Sequence, residues 1–217
     1  MDKAIEKTMS ALEKNNIHAI YAPTKEDVLR EVEKFLFEGC TITSGGSVSL
    51  KESGVFDLIS KPCYNFIDRS RIGISEEEKL FAHKSVVGSD FYFCSSNAVT
   101  ENGELINVDG NANRVSAISF GPDKVIMIVG KNKIVPDIKS GFLRVKTVAA
   151  PKNCVRLNCD TPCAKSGHCI SLDKSDSPEF SEGCSSKQRI CAEYLISGFQ
   201  RIYGRINVIL CEENLGF

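Results

Sequence analysis

Residues 17–47 read IHAIYAPTKEDVLREVEKFLFEGCTITSGGS and hold one full alternation of strand and helix. IHAIY (17–21) is a short apolar run of strand length. Thr24, with Asp27 three residues on, makes a capping-box start for a helix over TKEDVLREVEKFLF. CTIT (40–43) is a second strand and runs directly into Ser44-Gly45-Gly46-Ser47. Outward from this unit the pattern continues. Upstream, Ile5, Met9 and Leu12 share one face of a helix over residues 2–15. Downstream, YNFID (64–68) predicts another strand, Ser75 with Glu78 caps another helix, and FYFCSS (91–96) is strand again. NANRVSAISFG and DIKSGFLRVKTVAA (137–150) read as helices. VIMIVG (125–130) and RINVILC (205–211) are continuous apolar runs, as expected of strands buried on both faces. This order predicts an α/β fold: an open, mostly parallel sheet with helices on both faces. The middle of the chain differs, because Asn102-Gly103 between NAVT and ELINV is a hairpin signal.

The formal net charge of −1 leaves no electrostatic footprint for nucleic acid or an anionic membrane. No apolar run approaches the roughly 20 residues that cross a bilayer, so no membrane insertion is expected. The opening MDKAIEKTMSALEKNN is charged and amphipathic and is not a secretory leader, which predicts a cytoplasmic chain. The length suits a single α/β domain over 1–217, with a cysteine-rich insertion at 154–191 ahead of the last strand.

That insertion holds Cys154, Cys159, Cys163, Cys169, Cys184 and Cys191 among Pro, Gly, Ser and Asp. It has little apolar surface with which to fold itself, so it needs crosslinks. In a reducing compartment clustered thiols point to metal or redox chemistry more than to structural disulfides. The spacing is C-x4-C-x3-C-x5-C-x14-C-x6-C, neither two tight zinc pairs nor the bacterial ferredoxin run. Spacing alone therefore leaves zinc and an iron–sulfur cluster both open. Cys40, Cys63, Cys94 and Cys211 lie in or beside apolar strands and read as small buried hydrophobes. His168 reads as an exposed loop histidine beside Cys169.

Four stretches carry a family resemblance: SGGSVSLKESGVFDLI; FYFCSSNAVTENGELINVDGNANRVSAISFGPDKVIMIVGKNKIV; TPCAKSGHC with CSSKQRIC; and INVILCEENLGF. Together they resemble the lactate-utilization (LUD) domain family, in its short, cysteine-bearing branch. The resemblance implies a fold like that of sugar-phosphate isomerases and CoA transferases. It implies Cys163, Cys169, Cys184 and Cys191 as ligands of one metal centre, and tips that centre toward a 4Fe-4S cluster over zinc. The sequence departs from the pattern in the long SLDKSDSPEFSEG between Cys169 and Cys184, and in the extra Cys154 and Cys159. The implied partners are other lactate-oxidation subunits or a redox partner.

Two further candidates lie outside the cysteines. Ser44, Gly45, Gly46 and Ser47 follow a strand and precede a helix, where glycines let backbone approach an anion; the alternative is an ordinary tight turn. Arg114, after Asp109-Gly110, suits either a substrate carboxylate or phosphate, or a structural salt bridge. Thr100-Glu101-Asn102-Gly103 resembles the stretch that carries the glutamate nucleophile of CoA transferases; the alternative is Glu101 exposed beside a hairpin turn. Three functions follow. One is a cluster-bearing component in oxidation of lactate or a related 2-hydroxy acid. Another is an isomerase/CoA-transferase-like enzyme acting on a small anionic substrate. The third is a zinc-stapled binding module. Self-association is compatible with each.

Overall fold

In the computed structural model, which describes residues 1–217, Asp2 caps helix α1 (Lys3–Lys14) by accepting the Ala4 N–H at 2.8 Å. Strand β1 (His18–Ala22) follows, then α2 (Lys25–Glu33), started by the reciprocal Thr24–Asp27 capping box. Next come β2 (Thr41–Ser44), the short helices α3 (Val48–Glu52) and α4 (Val55–Ile59), and β3 (Asn65–Phe66). Helix α5 (Glu76–Lys84), capped by Ser75 and Glu78, leads to β4 (Phe91–Cys94). A hairpin of β5 (Ala98–Thr100) and β6 (Leu105–Asp109) precedes α6 (Asn113–Ser119), β7 (Lys124–Gly130) and β8 (Ile134–Val135). Helix α7 (Ile138–Arg144) continues through a π-helical turn (Val145–Ala149) into α8 (Ala150–Arg156). Helix α9 (Pro162–Ser166), β9 (Glu193–Ser197) and β10 (Ile206–Cys211) complete the chain.

Six strands form an open, all-parallel sheet in the order β1-β10-β7-β4-β2-β3. The pleat sends successive side chains to opposite faces. Val125, Met127 and Val129 of β7 pack on one side with Ile5 and Leu12 of α1 and Ile118 of α6. Ile126 and Ile128 pack on the other with Val28 and Val32 of α2, Leu50 of α3 and Ile59 of α4. Each of these buried aliphatic side chains contributes on the order of 1.5–3 kcal/mol. The central strands are thus apolar throughout because both faces are covered. The two-residue β3 is shorter than YNFID suggested, since it sits at the sheet edge with β2 as its only partner.

A second, four-stranded sheet runs β8-β5-β6-β9 and packs under α7 through Phe142, Val145, Ile106 and Val108. The predicted hairpin is its centre, and Gly103 makes the turn at φ +82. A Cβ there would stand 2.6–2.8 Å from the backbone of Ala11 and Leu12, so the turn presses directly on α1.

Three expectations change. The helix read over 137–150 runs on to Arg156, so Cys154 is helical and buried, and residue 154 marks no boundary. Strand β9, unforeseen in the sequence, pairs antiparallel with the free edge of β6. Cys40, Cys94 and Cys211 are buried, but Cys63 is exposed, on the loop ahead of the edge strand.

Candidate functional site

The cysteine segment folds against the end of the long helix. Pro162 opens α9, where its missing N–H costs nothing, and Cys163 follows. Gly167, left-handed at φ +81, ends that helix and turns the chain back, so that the Cys169 N–H donates to the Lys146 carbonyl at 2.9 Å. The long loop before Cys184 is pinned by Phe180, which stacks on Phe142 with ring centroids 4.9 Å apart. Arg189 ties the last two cysteines together. Its guanidinium donates to the Cys191 carbonyl at 2.9 Å, the Cys184 carbonyl at 3.2 Å and the Ser181 carbonyl at 2.5 Å.

The outcome is one cavity lined by Cys163, Cys169, Cys184 and Cys191 with largely apolar neighbours. No three His, Cys, Asp or Glu side chains stand close enough together to hold a metal ion. Cys154 lies behind the wall, its Sγ 3.7 Å from that of Cys163, and Cys159 is half-buried away from the cavity. Burial pushes the Cys163 thiol up to about 11 and raises that of Cys154 as well. Lys146, 5% exposed, also lines the cavity and donates to Ser171 Oγ at 3.2 Å and to the Glu182 carbonyl. It has no carboxylate partner, and an unpaired buried cation is costly unless negative charge is brought to it. His168 points elsewhere: it is exposed, and its Nε2 is 2.7 Å from Asp173 Oδ1, which raises its pKa.

The second feature is the crevice at the carboxyl ends of β2 and β4. These strands are neighbours, but the chain leaves β2 toward β3 on one side and β4 toward β7 on the other. Ligands of open α/β sheets bind at such a switch point. The Ser44–Ser47 loop lies there. The Gly45 N–H donates to the Phe93 carbonyl at 2.9 Å, and a Cβ on Gly45 would meet Tyr92 Oη at 2.9 Å and Arg114 Cδ at 3.4 Å. Ser47 turns inward to cap α3, accepting the Leu50 N–H at 3.4 Å. A Cβ on exposed Gly46 would stand 3.8 Å from an Nη of both Arg69 and Arg156.

Arg114 lies beneath the loop, and all five of its N–H donors are used within the protein. Nε donates to Asp109 Oδ1 at 3.1 Å, and Nη1 to the Ser95 carbonyl at 2.9 Å and to Asn107 Oδ1. Nη2 donates to Asn97 Oδ1 at 2.6 Å and to the Val108 carbonyl at 2.9 Å. Arg114 is therefore a structural tie with no donor left for a substrate anion. Glu101 sits at the hairpin turn, where its carboxylate meets Lys7 Nζ of α1 at 2.7 Å. Lys133, 3% exposed, donates to Ser49 Oγ at 2.8 Å and to Ser95 Oγ at 3.0 Å. Burial, helped by the nearby Arg144 and Arg114, lowers its pKa to about 7.

The family model described as the LUD domain matches residues 5–211. The chain belongs to the LUD domain family. That family is associated with lactate utilization. Among solved structures, a DUF162 family protein from Deinococcus radiodurans is 16% identical, with a TM-score of 0.50 and 96% of each chain covered. At that identity the likeness is one of fold. No curated protein matches the chain.

Within this LUD domain the four cysteines singled out from the sequence come to one cavity. The Ser44–Ser47 loop meets Arg114 only through the arginine stem, and Glu101 is held against α1. Sequence reading missed Arg69, Arg156, Lys133 and Lys146. Lys133 had a local signal, a lysine set between the apolar VIMIVG and IV runs. The two arginines had none, for they lie far apart in the chain and meet only across Gly46.

Proposed function

We propose that this LUD protein carries a 4Fe-4S cluster on Cys163, Cys169, Cys184 and Cys191 and serves as an electron-carrying component in oxidation of lactate or a related 2-hydroxy acid. The observation that carries the reading is the gathering of those four thiols around one largely apolar cavity. The donor set fits the group. Four thiolates suit an iron–sulfur cluster, and apolar walls with a buried Lys146 suit its net negative charge. The choice of a cluster over a single zinc ion follows the family resemblance, since four thiolates suit either.

When bound, the cluster supplies one-electron transfer. The protein supplies the rest. Arg189 fixes the Cys184 and Cys191 backbone, and the stacking of Phe180 on Phe142 pins the loop between Cys169 and Cys184. Oxidation of a 2-hydroxy acid releases two electrons, so the reading calls for a redox partner or further lactate-oxidation subunits in a reducing, cytoplasmic setting. The switch-point crevice is the place for the small anionic substrate. It is linked to the cysteine segment by the Asp109-Gly110 turn: the Ala192 N–H donates to the Asp109 carbonyl at 3.0 Å, while Asp109 also holds Arg114.

The test is anaerobic purification followed by quantitation of iron, sulfide and zinc, with visible absorption spectra. About four iron and four sulfide per chain are expected for a cubane cluster. Cys169→Ser and Cys184→Ser should strongly reduce both, while Cys40→Ser should not. Stoichiometric zinc without sulfide, or full iron retention in both cavity variants, would remove this reading.

A further inference from the structure

We propose that Arg69 and Arg156 form a two-guanidinium clamp over Gly46 that binds the carboxylate of a small 2-hydroxy acid; this rests on the lactate-type reading above. The two side chains come from distant parts of the chain, the segment after β3 and the last turn of α8. Both nonetheless reach the same small space, 3.8 Å from where a Gly46 side chain would begin. Neither has a carboxylate partner, although Arg30, Arg71 and Arg114 each have one. Two like charges held at one point repel each other, and the arrangement is stabilised when an anion enters between them. Desolvation first, and then the proximity of Arg69, lower the pKa of Arg156.

The clamp is also pre-positioned. Arg156 Nε and Nη2 donate to Asn153 Oδ1 at 2.8 and 2.6 Å, which orients the fork and leaves Nη1 uncommitted. Arg69 Nη1 lies 3.0 Å from the end of the Asn113 side-chain amide, which accepts from it once the amide is turned to present its oxygen, leaving the Arg69 Nε and Nη2. Below, Gly45 is locked against Tyr92 and Arg114, so the loop between the arginines has a fixed floor. Arg114 and Arg144 add positive charge beneath it against Asp109 and Glu52, and a cationic crevice raises the local concentration of anions. Beside Arg69 opens a small recess lined by Ser44, Tyr92, His83 and Asn113, which is the place for the rest of the ligand. These features select a short-chain carboxylate with a polar substituent.

Titration calorimetry on iron-replete, anaerobic full-length protein at low ionic strength tests the clamp, with lactate, inorganic phosphate and propane-1,2-diol as probes. Lactate should bind, phosphate more weakly, and the diol, which lacks the carboxylate, not at all. Arg69→Gln and Arg156→Gln should each weaken lactate binding about tenfold or more, as expected for loss of a charge-assisted hydrogen bond. Gly46→Ala, whose methyl group makes only ordinary 3.8 Å contacts, should fold normally and also weaken binding. Unchanged lactate affinity in both arginine variants, no lactate binding by the wild type, or tighter binding of phosphate than of lactate would overturn the clamp. Iron content read on the same samples separates the two proposals. A full iron complement without lactate binding overturns the clamp alone, and arginine-dependent lactate binding by protein that cannot acquire iron overturns the cluster alone.

Discussion

Lys133→Met should change how stability depends on pH, and the size of the change follows from the burial of this amine. The Lys133 pKa falls from an ordinary 10.5 to about 7 in the folded protein. Between those values the unfolded chain binds a proton that the folded chain does not. Stability conferred through this group therefore rises with pH across about 7 to 10.5 and is flat below the folded value. For one group with these two pKa values, the rise between pH 7 and pH 9 is about 2 kcal/mol. Methionine removes the titration while keeping most of the side-chain volume. Ser49 still donates to the Leu215 carbonyl and Ser95 to the Ser96 carbonyl, so their lost amine contact adds only a pH-independent offset. Urea unfolding of both proteins, reduced and metal-free, at pH 7, 8 and 9 and constant ionic strength, gives the difference directly. Wild type should gain on the variant by about 2 kcal/mol over that range. A gap that stays constant, or that moves in the variant's favour, would show that Lys133 keeps its charge when folded and would refute the argument.

Gly103→Ala should destabilise the protein by about 2–4 kcal/mol in thermal or urea melts, combining a left-handed backbone with a methyl pressed on the α1 backbone. A loss under ~1 kcal/mol would mean that the hairpin lifts away from α1 at little cost. Removing the iron of the proposed cluster should abolish amide protection over residues 157–191 and leave it intact over Ile126–Val129, because those strand residues are buried without any help from the cysteine segment. Hydrogen exchange on the two forms decides this, and collapse across β7 would make the cysteine segment part of the folding core.

The fold was legible where burial imposes its own pattern. VIMIVG and INVILC carry apolar residues on both faces because helices cover both sides of β7 and β10. Strand order was not legible, because period-two alternation says which face a residue takes and nothing about its neighbour. Strand β9 was hidden for a similar reason: it has one partner, β6, and its sequence EYLIS follows polar coil without a break. The end of α7 was misread because APKNCVR contains a proline, which the first turn of α8 accommodates. At the site, the four cysteines could be grouped through their resemblance to a family, while their spacing alone left zinc and iron both open. Arg114 read equally as an anion ligand or a structural salt bridge, because a lone arginine after Asp-Gly gives no hint that five acceptors already surround it. Arg69 and Arg156 are 87 positions apart (156 − 69), and only the folded chain brings them to one glycine.

Strand β1 has a single neighbour in its sheet, β10, whose residues 206–211 also cover the open edge of β7. During synthesis, therefore, the strand made first has nothing to pair with until nearly two hundred further residues have been added. Until then β7 presents a bare apolar edge, and β1 has no partner in the sheet. Completion of the sheet is a late, long-range event, which is slow and leaves unpaired edges open to other chains meanwhile. A polypeptide stopped before residue 206 loses the strand that joins β1 to β7, so loss of residues 206–211 has the effect of a cut through the middle of the core.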